Sequence, residues 1–232
     1  MTDTALQWHG QNEEDRYIAA CFPDQHTGYF VDVGAFDGLK FSNTLYFENI
    51  GWTGLCIEPH GKTYNGLRLR RKNSTCVRAA CVGDPHLETV DFHQPTAAAL
   101  KRRKDISMLS GINPNLEHVE QNYKGVKVAY DGLETVEVPA TTLNRLLHEH
   151  RGAGQPVDFV SIDTEGSELD VLQGLDLGLW KPKLICVEHA HLNADGLDQY
   201  MARMGYVKSV IVGDNTFYVN NYPMAKLLEA VT

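Results

Sequence analysis

Residues 29–38 read YFVDVGAFDG, and this stretch decides the fold. The β-branched and aromatic residues at its start predict a buried strand. Gly34 follows the strand directly, and a glycine at this place lets the backbone approach a ligand closely because no side chain stands in the way. A helix-like segment comes next, at residues 42–49. The stretch therefore predicts a strand, a turn and a helix, which is the repeating unit of an α/β sheet.

The same alternation of short β-rich runs and helix-like segments continues along most of the chain. The predicted strands are residues 29–35, 55–58, 75–82, 89–93, 157–163, 184–188, 206–212 and 216–220, with one or two more in residues 126–138. The predicted helices are residues 11–22, 42–49, 62–71, 142–151, 167–175 and 197–204. The turn Gly213-Asp214-Asn215 predicts an antiparallel hairpin at the end of the sheet. The predicted fold is a doubly wound, Rossmann-like α/β domain with a mostly parallel seven-stranded sheet.

A single domain is expected to account for all 232 residues, with residues 1–28 as an N-terminal helical extension. Residues 95–125 break the alternation, because they are polar and carry Gly111, Pro114 and Gly125. We expect an insertion with little regular structure there. Insertions of this length in a compact domain are usually functional, so this segment is predicted to cover the substrate site as a mobile lid.

Composition and charge exclude several classes of protein. The net charge of −9 argues against a nucleic-acid partner, which usually requires a basic face. No apolar run approaches the roughly 20 residues of a membrane span, and the polar, acidic N-terminus does not resemble a secretory signal. The five cysteines form no C-x-x-C pair and are expected to be free thiols in a reducing compartment. These features together predict a cytoplasmic protein.

An acidic residue at the end of the second predicted strand indicates a nucleoside cofactor. Glu58 ends the second predicted strand, 20 residues after Gly38, and commonly such a residue accepts hydrogen bonds from the ribose hydroxyls. A pyrophosphate site requires G-x-G-x-x-G, but Phe36 replaces the second glycine here and Asp37 would repel the phosphates. Acidic neighbours attract a cofactor that carries a sulfonium and an ammonium group. The loop therefore favours S-adenosylmethionine over NAD.

A second polar cluster follows the strand predicted at residues 157–163. The carboxyl ends of the central strands border the ligand crevice of a doubly wound sheet, so Asp163 and Glu165 are expected to point toward cofactor or substrate. Ser167 is expected to cap the next helix, with Asp170 completing a capping-box-like pattern. Capping accounts for the serine but not for two carboxylates crowded at a strand end.

Glu188 and His189 end the neighbouring predicted strand and complete the set of candidate catalytic residues. Carboxylates this close repel each other unless a proton or a cation lies between them. In one arrangement, Asp163, Glu165 and Glu188 hold Mg²⁺, which lowers the pKa of an acceptor hydroxyl. In another, no metal binds and His189 removes the proton. In a third, the carboxylates only hold the methionine ammonium of the cofactor, and the sequence leaves all three open.

The quoted segments resemble the FkbM-type methyltransferases over residues 15–219. The matching segments are FVDVGAFDG (30–38), SNT (42–44), GWTGLCIEP (51–59), IDTEGSELDVLQG (162–174) and KPKLICVEHA (181–190). The resemblance implies a class I methyltransferase fold, S-adenosylmethionine as methyl donor, and O-methylation of a hydroxyl on a sugar, glycan or natural product. The cofactor-binding positions that it implies are Asp32, Gly34, Ala35, Gly38, Ser42, Asn43, Glu58, Ala80, Cys81 and Asp163. Asp37 and Pro59, within the same matching segments, complete the predicted cofactor-binding set.

Two other functions compete with this prediction. An NAD-dependent sugar oxidoreductase would use the same fold, but the chain has neither a Tyr-x-x-x-Lys dyad nor a full G-x-G-x-x-G. A non-catalytic nucleoside-binding or scaffold protein could keep the loop without the chemistry. The identity of the methyl acceptor and the oligomeric state are left open by the sequence.

Overall fold

The computed structural model describes residues 7–102, 110–112, 133–152, 154–189 and 194–220. The strands are β1 (Tyr29–Val33), β2 (Thr53–Ile57), β3 (Thr75–Val77), β4 (Ala80–Cys81), β5 (Thr89–Pro95), β6 (Leu133–Thr141), β7 (Phe159–Ile162), β8 (Leu184–Glu188), β9 (Val207–Val212) and β10 (Asn215–Val219). The helices are α1 (Glu14–Ala20), α2 (Leu45–Asn49), α3 (Gly61–Arg70), α4 (Ala97–Arg102), α5 (Leu143–His150), α6 (Glu168–Gln173), α7 (Leu177–Trp180) and α8 (Ala194–Arg203).

The central sheet has seven strands in the order β3-β2-β1-β7-β8-β10-β9. Strands β3, β2, β1, β7 and β8 are parallel, and β10 runs antiparallel to both β8 and β9. This confirms the predicted doubly wound class I fold with its C-terminal antiparallel hairpin. The chain winds outward from β1 in one direction and from β7 in the other, so the topological switch point lies between β1 and β7. Ligands of open α/β sheets bind outside the carboxyl ends of the strands at such a point.

Side chains of the parallel strands are buried on both faces of the sheet. All five residues of β1 are buried, and alternate residues enter opposite cores because a strand has a period of two. Val31 packs in the core that contains α5, while Phe30 packs in an aromatic core on the other face. There the ring of Phe159 lies 4.8 Å from that of Phe47 and 5.9 Å from that of Trp52.

The strand predicted over residues 75–82 is divided between two sheets. Strand β3 ends level with β2, where Val77 is opposite Ile57. The chain beyond it therefore has no partner in the central sheet, and Ala80 and Cys81 pair with β6 instead. The whole of β5 also pairs with β6, giving a separate three-stranded sheet in the order β4-β6-β5. The predicted strand at 89–93 belongs to this small sheet, and so do residues 133–138 of the segment predicted at 126–138. Residues 126–132 lie outside the described part.

The insertion has more regular structure than we expected. Its start forms the helix α4, and Gly111 exchanges two backbone hydrogen bonds with His93 of β5, at 2.9 and 3.1 Å. The remainder, residues 103–109 and 113–125, lies outside the described residues. The lid therefore stays a prediction.

Two expectations about the class of protein can be compared with the described residues. None of the helices in those ranges has the length and apolar character that a bilayer span requires. All five cysteines are free thiols, as predicted.

Gly34 brings β1 into contact with the end of β7. Its φ is +84°, and a Cβ at this position would lie 1.7 Å from the carbonyl oxygen of Asp163. The sequence suggested a glycine that makes room for a ligand, whereas the close approach in the structure is to the backbone of Asp163. Only glycine combines this φ with this contact, so Gly34 sets the geometry of the switch point.

Substituting Gly34→Ala should therefore destabilise the protein far more than a matched change elsewhere. Gly205 has the same φ of +84° but no atom within 4 Å of a built Cβ, so Gly205→Ala should cost only the left-handed backbone penalty of about 1–2 kcal/mol. Gly34→Ala should cost more than about 3 kcal/mol, since the Asp163 backbone also has to move. Urea unfolding measures both values. Equal losses would show that the contact with Asp163 imposes no constraint.

Candidate active site at the switch point

A cleft of about 690 Å³, open mouth included, lies at the carboxyl ends of β1, β2 and β7. The central sheet and its loops contribute Val33, Gly34, Phe36, Ile57, Glu58, Pro59, His60, Thr63, Asp163, Thr164, Glu165 and Ser167, and the small sheet and insertion contribute Ala79, Ala80, Cys81, Phe92, Ser110 and Ile112. The cleft thus has the position that the sequence predicted for a cofactor.

Glu58 is the buried carboxylate at the centre of one wall. Its Oε1 accepts hydrogen bonds from the backbone N–H of His60 (2.8 Å) and from the hydroxyl of Thr63 (2.9 Å). Its Oε2 accepts one from the backbone N–H of Phe36 (2.9 Å), whose φ is +49°. The carboxylate therefore joins the loop after β1 to the start of α3. Burial raises the pKa of Glu58 to about 7, against the opposing effect of these hydrogen bonds.

Six of the predicted cofactor-binding residues line the cleft. They are Gly34, Glu58, Pro59, Ala80, Cys81 and Asp163. They lie in or directly after β1, β2, β4 and β7. These strands are far apart in the sequence, and the fold brings them together. The grouping of Ala80 and Cys81 with Glu58 depends on the small sheet, since both belong to β4.

Three of the other predicted positions lie away from the described cleft wall. Ala35 packs in the aromatic core. Asp37 forms an ion pair with Arg70 at 3.5 Å and accepts hydrogen bonds within its own turn. Asn43 donates through Nδ2 to the hydroxyl of Ser161 on β7 (3.1 Å), and its Oδ1 is buried with no hydrogen-bond partner among the described residues.

The remaining predicted positions, Asp32, Gly38 and Ser42, surround one buried side chain. Nη1 of Arg71 lies 3.8 Å from Oδ2 of Asp32 and 3.2 Å from Oγ of Ser42. A Cβ on Gly38 would lie 2.8 Å from Cγ of Arg71. These three residues therefore act on the cleft only through the structure of the loop.

Several residues of the cleft had no signal in the sequence. Phe92, Ser110 and Ile112 reach it because β5 pairs with β6 and Gly111 is bridged to β5. These pairings are long-range and leave no periodicity that would point to a ligand. His60 and Thr63 could have been found, since they follow the predicted Glu58 closely in the chain.

The loop after β7 is organised around Glu168 rather than around Ser167. The fully buried Glu168 accepts through Oε1 from the backbone N–H groups of Thr164 (2.8 Å) and Gly166 (3.0 Å). The predicted capping box is wrong: Ser167 makes no capping hydrogen bond, and Asp170 accepts from the backbone N–H of Gly83 at 3.0 Å. A buried carboxylate that binds several N–H groups holds the loop more strongly than a serine cap would.

Asp163 and Glu188 form a pair of interacting carboxyl groups. Asp163 is exposed to the cleft, and its side chain is hydrogen-bonded to that of Glu188, which lies beside it at the end of β8. Desolvation and the neighbouring carboxylates raise the pKa values of both groups well above the usual range. Two negative charges at this distance would repel each other, so protonation of the pair is favoured.

The other two candidate catalytic residues differ in their positions. Glu165 lines the cleft and has a φ of +58°, an unusual backbone conformation for a residue with a side chain. His189 is not among the residues of the cleft wall, and its Nδ1 lies 3.0 Å from the hydroxyl of Thr216. The structure therefore places Glu165 on the cleft and turns one nitrogen of His189 toward β10.

The predicted metal ligands are only partly brought together. Asp163, Glu168 and Glu188 each offer a carboxylate oxygen, and the three oxygens lie within 4.8 Å of one another. The structure therefore groups Glu168, and not the predicted ligand Glu165, with Asp163 and Glu188. Oxygen-only sites of this kind suit hard cations such as Mg²⁺.

Comparison with known families decides the class of enzyme. The profile of the Methyltransferase FkbM domain matches residues 32–208, a span that includes every residue of the cleft wall. The chain belongs to the FkbM methyltransferase family. Membership favours a methyltransferase over the oxidoreductase alternative. A search of curated protein sequences finds no match.

Solved structures with a similar chain course are also methyltransferases by name. TrmK of M. capricolum, in complex with S-adenosyl-homocysteine, is 12% identical, with a TM-score of 0.41 over 89% of this chain and 68% of that one. A TehB-like SAM-dependent methyltransferase from Corynebacterium glutamicum ATCC 13032 is 9% identical, with a TM-score of 0.46 over 90% of this chain and 87% of that one. A precorrin-6y C5,15-methyltransferase from Geobacter metallireducens GS-15 is 13% identical, with a TM-score of 0.43 over 94% and 91%. At this level of similarity, we infer neither the substrate nor the roles of individual residues from these structures.

The raised pKa of Glu58 predicts a specific dependence of stability on pH. The folded state holds the proton up to about pH 7, whereas the ordinary value is 4.5, so the contribution of Glu58 is fully present below 4.5 and is lost as the pH rises through 7. The free energy of unfolding should fall by about 3 kcal/mol over this range from this group alone. Denaturant unfolding of the wild type and of Glu58→Gln, which cannot titrate, measures the difference. If the free energy of unfolding had the same pH dependence in both proteins, the pKa of Glu58 would not be raised.

Proposed function

We propose that this protein is an S-adenosylmethionine-dependent O-methyltransferase that binds its cofactor in the cleft at the switch point. The observation that carries the proposal is the position of Glu58 on the cleft wall, within a chain that belongs to a methyltransferase family. A carboxylate oxygen can accept more than one hydrogen bond, and Oε2 of Glu58 accepts one from Phe36. The residues present fit the ribose of the cofactor.

The charge of the cleft also fits this cofactor better than a dinucleotide. Glu58, Asp163 and Glu165 all line the cleft, and carboxylates attract a sulfonium or an ammonium but repel a pyrophosphate. The loop after β1 places the N–H of Phe36 on a carboxylate rather than leaving it for a phosphate. Binding of NAD would require these acidic groups to be neutralised.

Bound S-adenosylmethionine would supply a methyl group on a positively charged sulfur. The role of the protein is to align an acceptor hydroxyl with that methyl group and to take the proton of the hydroxyl. Asp163 faces the cleft, and the shared proton of the pair leaves one negative charge that can accept it. With the cofactor bound, the Asp163–Glu188 pair would take the proton that the acceptor hydroxyl loses on methylation.

Two other arrangements belong to the same proposal as alternatives for proton removal. A cation such as Mg²⁺ could be held by Asp163, Glu168 and Glu188, whose oxygens lie close enough together, and would make the hydroxyl more acidic. His189 could remove the proton only if it turned from Thr216 toward the cleft. The acid pair needs neither a metal nor a movement, so we favour it. The proposed acceptor is a hydroxyl of a sugar, glycan or natural product.

Binding to S-adenosylhomocysteine and to NADH tests the cofactor assignment. We expect S-adenosylhomocysteine to bind in the micromolar range by calorimetry and NADH not to bind. Glu58→Ala should weaken binding by roughly 10- to 100-fold, the value of one or more hydrogen bonds to a charged group. Glu149→Ala, which removes a 65% exposed carboxylate on α5, is the matched control and should change nothing. An unchanged dissociation constant for Glu58→Ala would show that the ribose assignment is wrong, and turnover of the cofactor excludes a binding protein without chemistry.

Turnover with an acceptor found by a mass-shift screen of sugars and natural products tests the base. Asp163→Asn should lower kcat by roughly 10²- to 10⁴-fold, since it removes the proton acceptor, while far-ultraviolet circular dichroism remains that of the wild type. His189→Ala should keep most of the activity. Full activity in a chelator supports the acid pair, and loss of activity restored by Mg²⁺ supports the cation. Near-normal turnover of both variants would mean that the acceptor is activated elsewhere.

A further inference from the structure

Arg71 is a buried cation that has no role in the proposed reaction. It follows α3 directly, and its side chain is 0% exposed. Its guanidinium carbon lies 5.2 Å from the centre of the Phe30 ring in the aromatic core. Burying an arginine is costly unless its charge and its donors are matched, so its partners indicate what it holds.

Those partners lie at both ends of the loop that follows β1. Nε donates to Oε2 of Glu48 in α2 at 2.7 Å. Nη1 donates to the hydroxyl of Thr44 at 2.9 Å and to that of Ser42 at 3.2 Å. Thr44 in turn donates its hydroxyl proton to Asp32 in β1, at 2.5 Å. One guanidinium therefore ties the end of β1 to the start of α2 and closes the loop between them at its base.

The middle of the loop also packs on the same side chain. A Cβ on Gly38 would lie 2.8 Å from Cγ of Arg71 and 2.8 Å from Cδ1 of Leu67. The loop therefore passes over the aliphatic part of Arg71 at a position where only a glycine fits. The side chain of Arg71, which directly follows α3, therefore limits the shape of the loop.

Asn43 is the loop residue that this arrangement fixes most directly. Both of its neighbours, Ser42 and Thr44, are bound to Nη1 of Arg71. Its own Nδ2 donates to Ser161 of β7, and its Oδ1 is left without a partner among the described residues. Asn43 is thus held on the β7 side of the loop, the side on which Asp163 follows β7.

We propose that Arg71 is a positioning residue that holds residues 34–44 in the shape that receives the methionine half of the cofactor. This inference rests on the proposed function. Glu58, at the end of β2, would hold the ribose, so the rest of the cofactor extends past Gly34 toward Asp163. Arg71 acts on that second half through Ser42 and Thr44, whereas the Glu58 side has its own hydrogen bonds from the N–H groups of Phe36 and His60.

Two ligands that differ only in the methionine half test this separation. S-adenosylhomocysteine carries the amino-acid group, and 5′-methylthioadenosine lacks it. Thr44→Val keeps the shape of the side chain but removes its hydrogen bonds to Arg71 and Asp32. It should weaken binding of S-adenosylhomocysteine by roughly tenfold or more and leave binding of 5′-methylthioadenosine unchanged. Calorimetry on the full-length protein measures both.

Ser74→Ala is the matched control within the same network. It removes the hydrogen bond from Ser74 to Oε2 of Glu48, on the side of the network away from the loop, and should change the affinity for neither ligand. Arg71→Lys is the second variant, because a lysine keeps the charge but has one nitrogen in place of the separate Nε and Nη1 donors that bind Glu48 and the two hydroxyls. It should show the same selective loss as Thr44→Val.

The outcomes separate the inference from the proposed function. If the wild type binds neither ligand, the cofactor assignment fails and the inference fails with it. If the wild type binds both, an equal loss for the two ligands in Thr44→Val, or a fall in melting temperature with no change in affinity, overturns the positioning role. A selective loss in Thr44→Val and Arg71→Lys, absent in Ser74→Ala, supports it.

Discussion

Gly34 and Asp163 touch backbone to backbone where the carboxyl ends of β1 and β7 meet. The N–H of Asp163 donates to the carbonyl of Val33 (2.9 Å), and the missing side chain of Gly34 makes room for the next carbonyl. The two halves of the doubly wound sheet are joined by this contact, and the chain diverges on either side of it. Because the strands separate beyond this point, a cleft opens there, and the side chains that follow each strand face one another across it.

Two buried carboxylates give the loops of this cleft their shape. Glu58 accepts backbone N–H groups from the loop after β1 and from the start of α3. Glu168 accepts N–H groups from the loop after β7. In both cases the loop wraps around an anion supplied by the protein, in the way that a phosphate-binding loop wraps around its ligand. The backbone donors that could have bound a pyrophosphate are thus already used, which gives a structural reason for the absence of the dinucleotide fingerprint.

The sequence predicted the central sheet well because that sheet depends on local patterns. Strand β8, for example, was placed at residues 184–188, its observed bounds, since a short apolar run between turns has few other interpretations. The small sheet was missed because its pairings are long-range: nothing in residues 80–81 indicates that they pair with residues 140–141. The same limit applies to the site. Glu58 and Asp163 follow strands and could be found, but the burial of Asp32 with Arg71 and the role of Glu168 in its loop depend on packing.

The sharing of a proton that we propose for Asp163 and Glu188 would also change the charge beside the cofactor. The positive charge of the sulfonium disappears as the methyl group leaves, so negative charges fixed beside it stabilise the starting state more than the transition state, and this slows the reaction. A fully ionised pair would place two such charges beside the cofactor. Sharing a proton removes one of them and still leaves an oxygen on Asp163 that can accept the proton of the acceptor. Burial, together with the crowding of carboxylates that makes the site attractive to a cationic cofactor, raises the pKa of the pair and so moderates its charge.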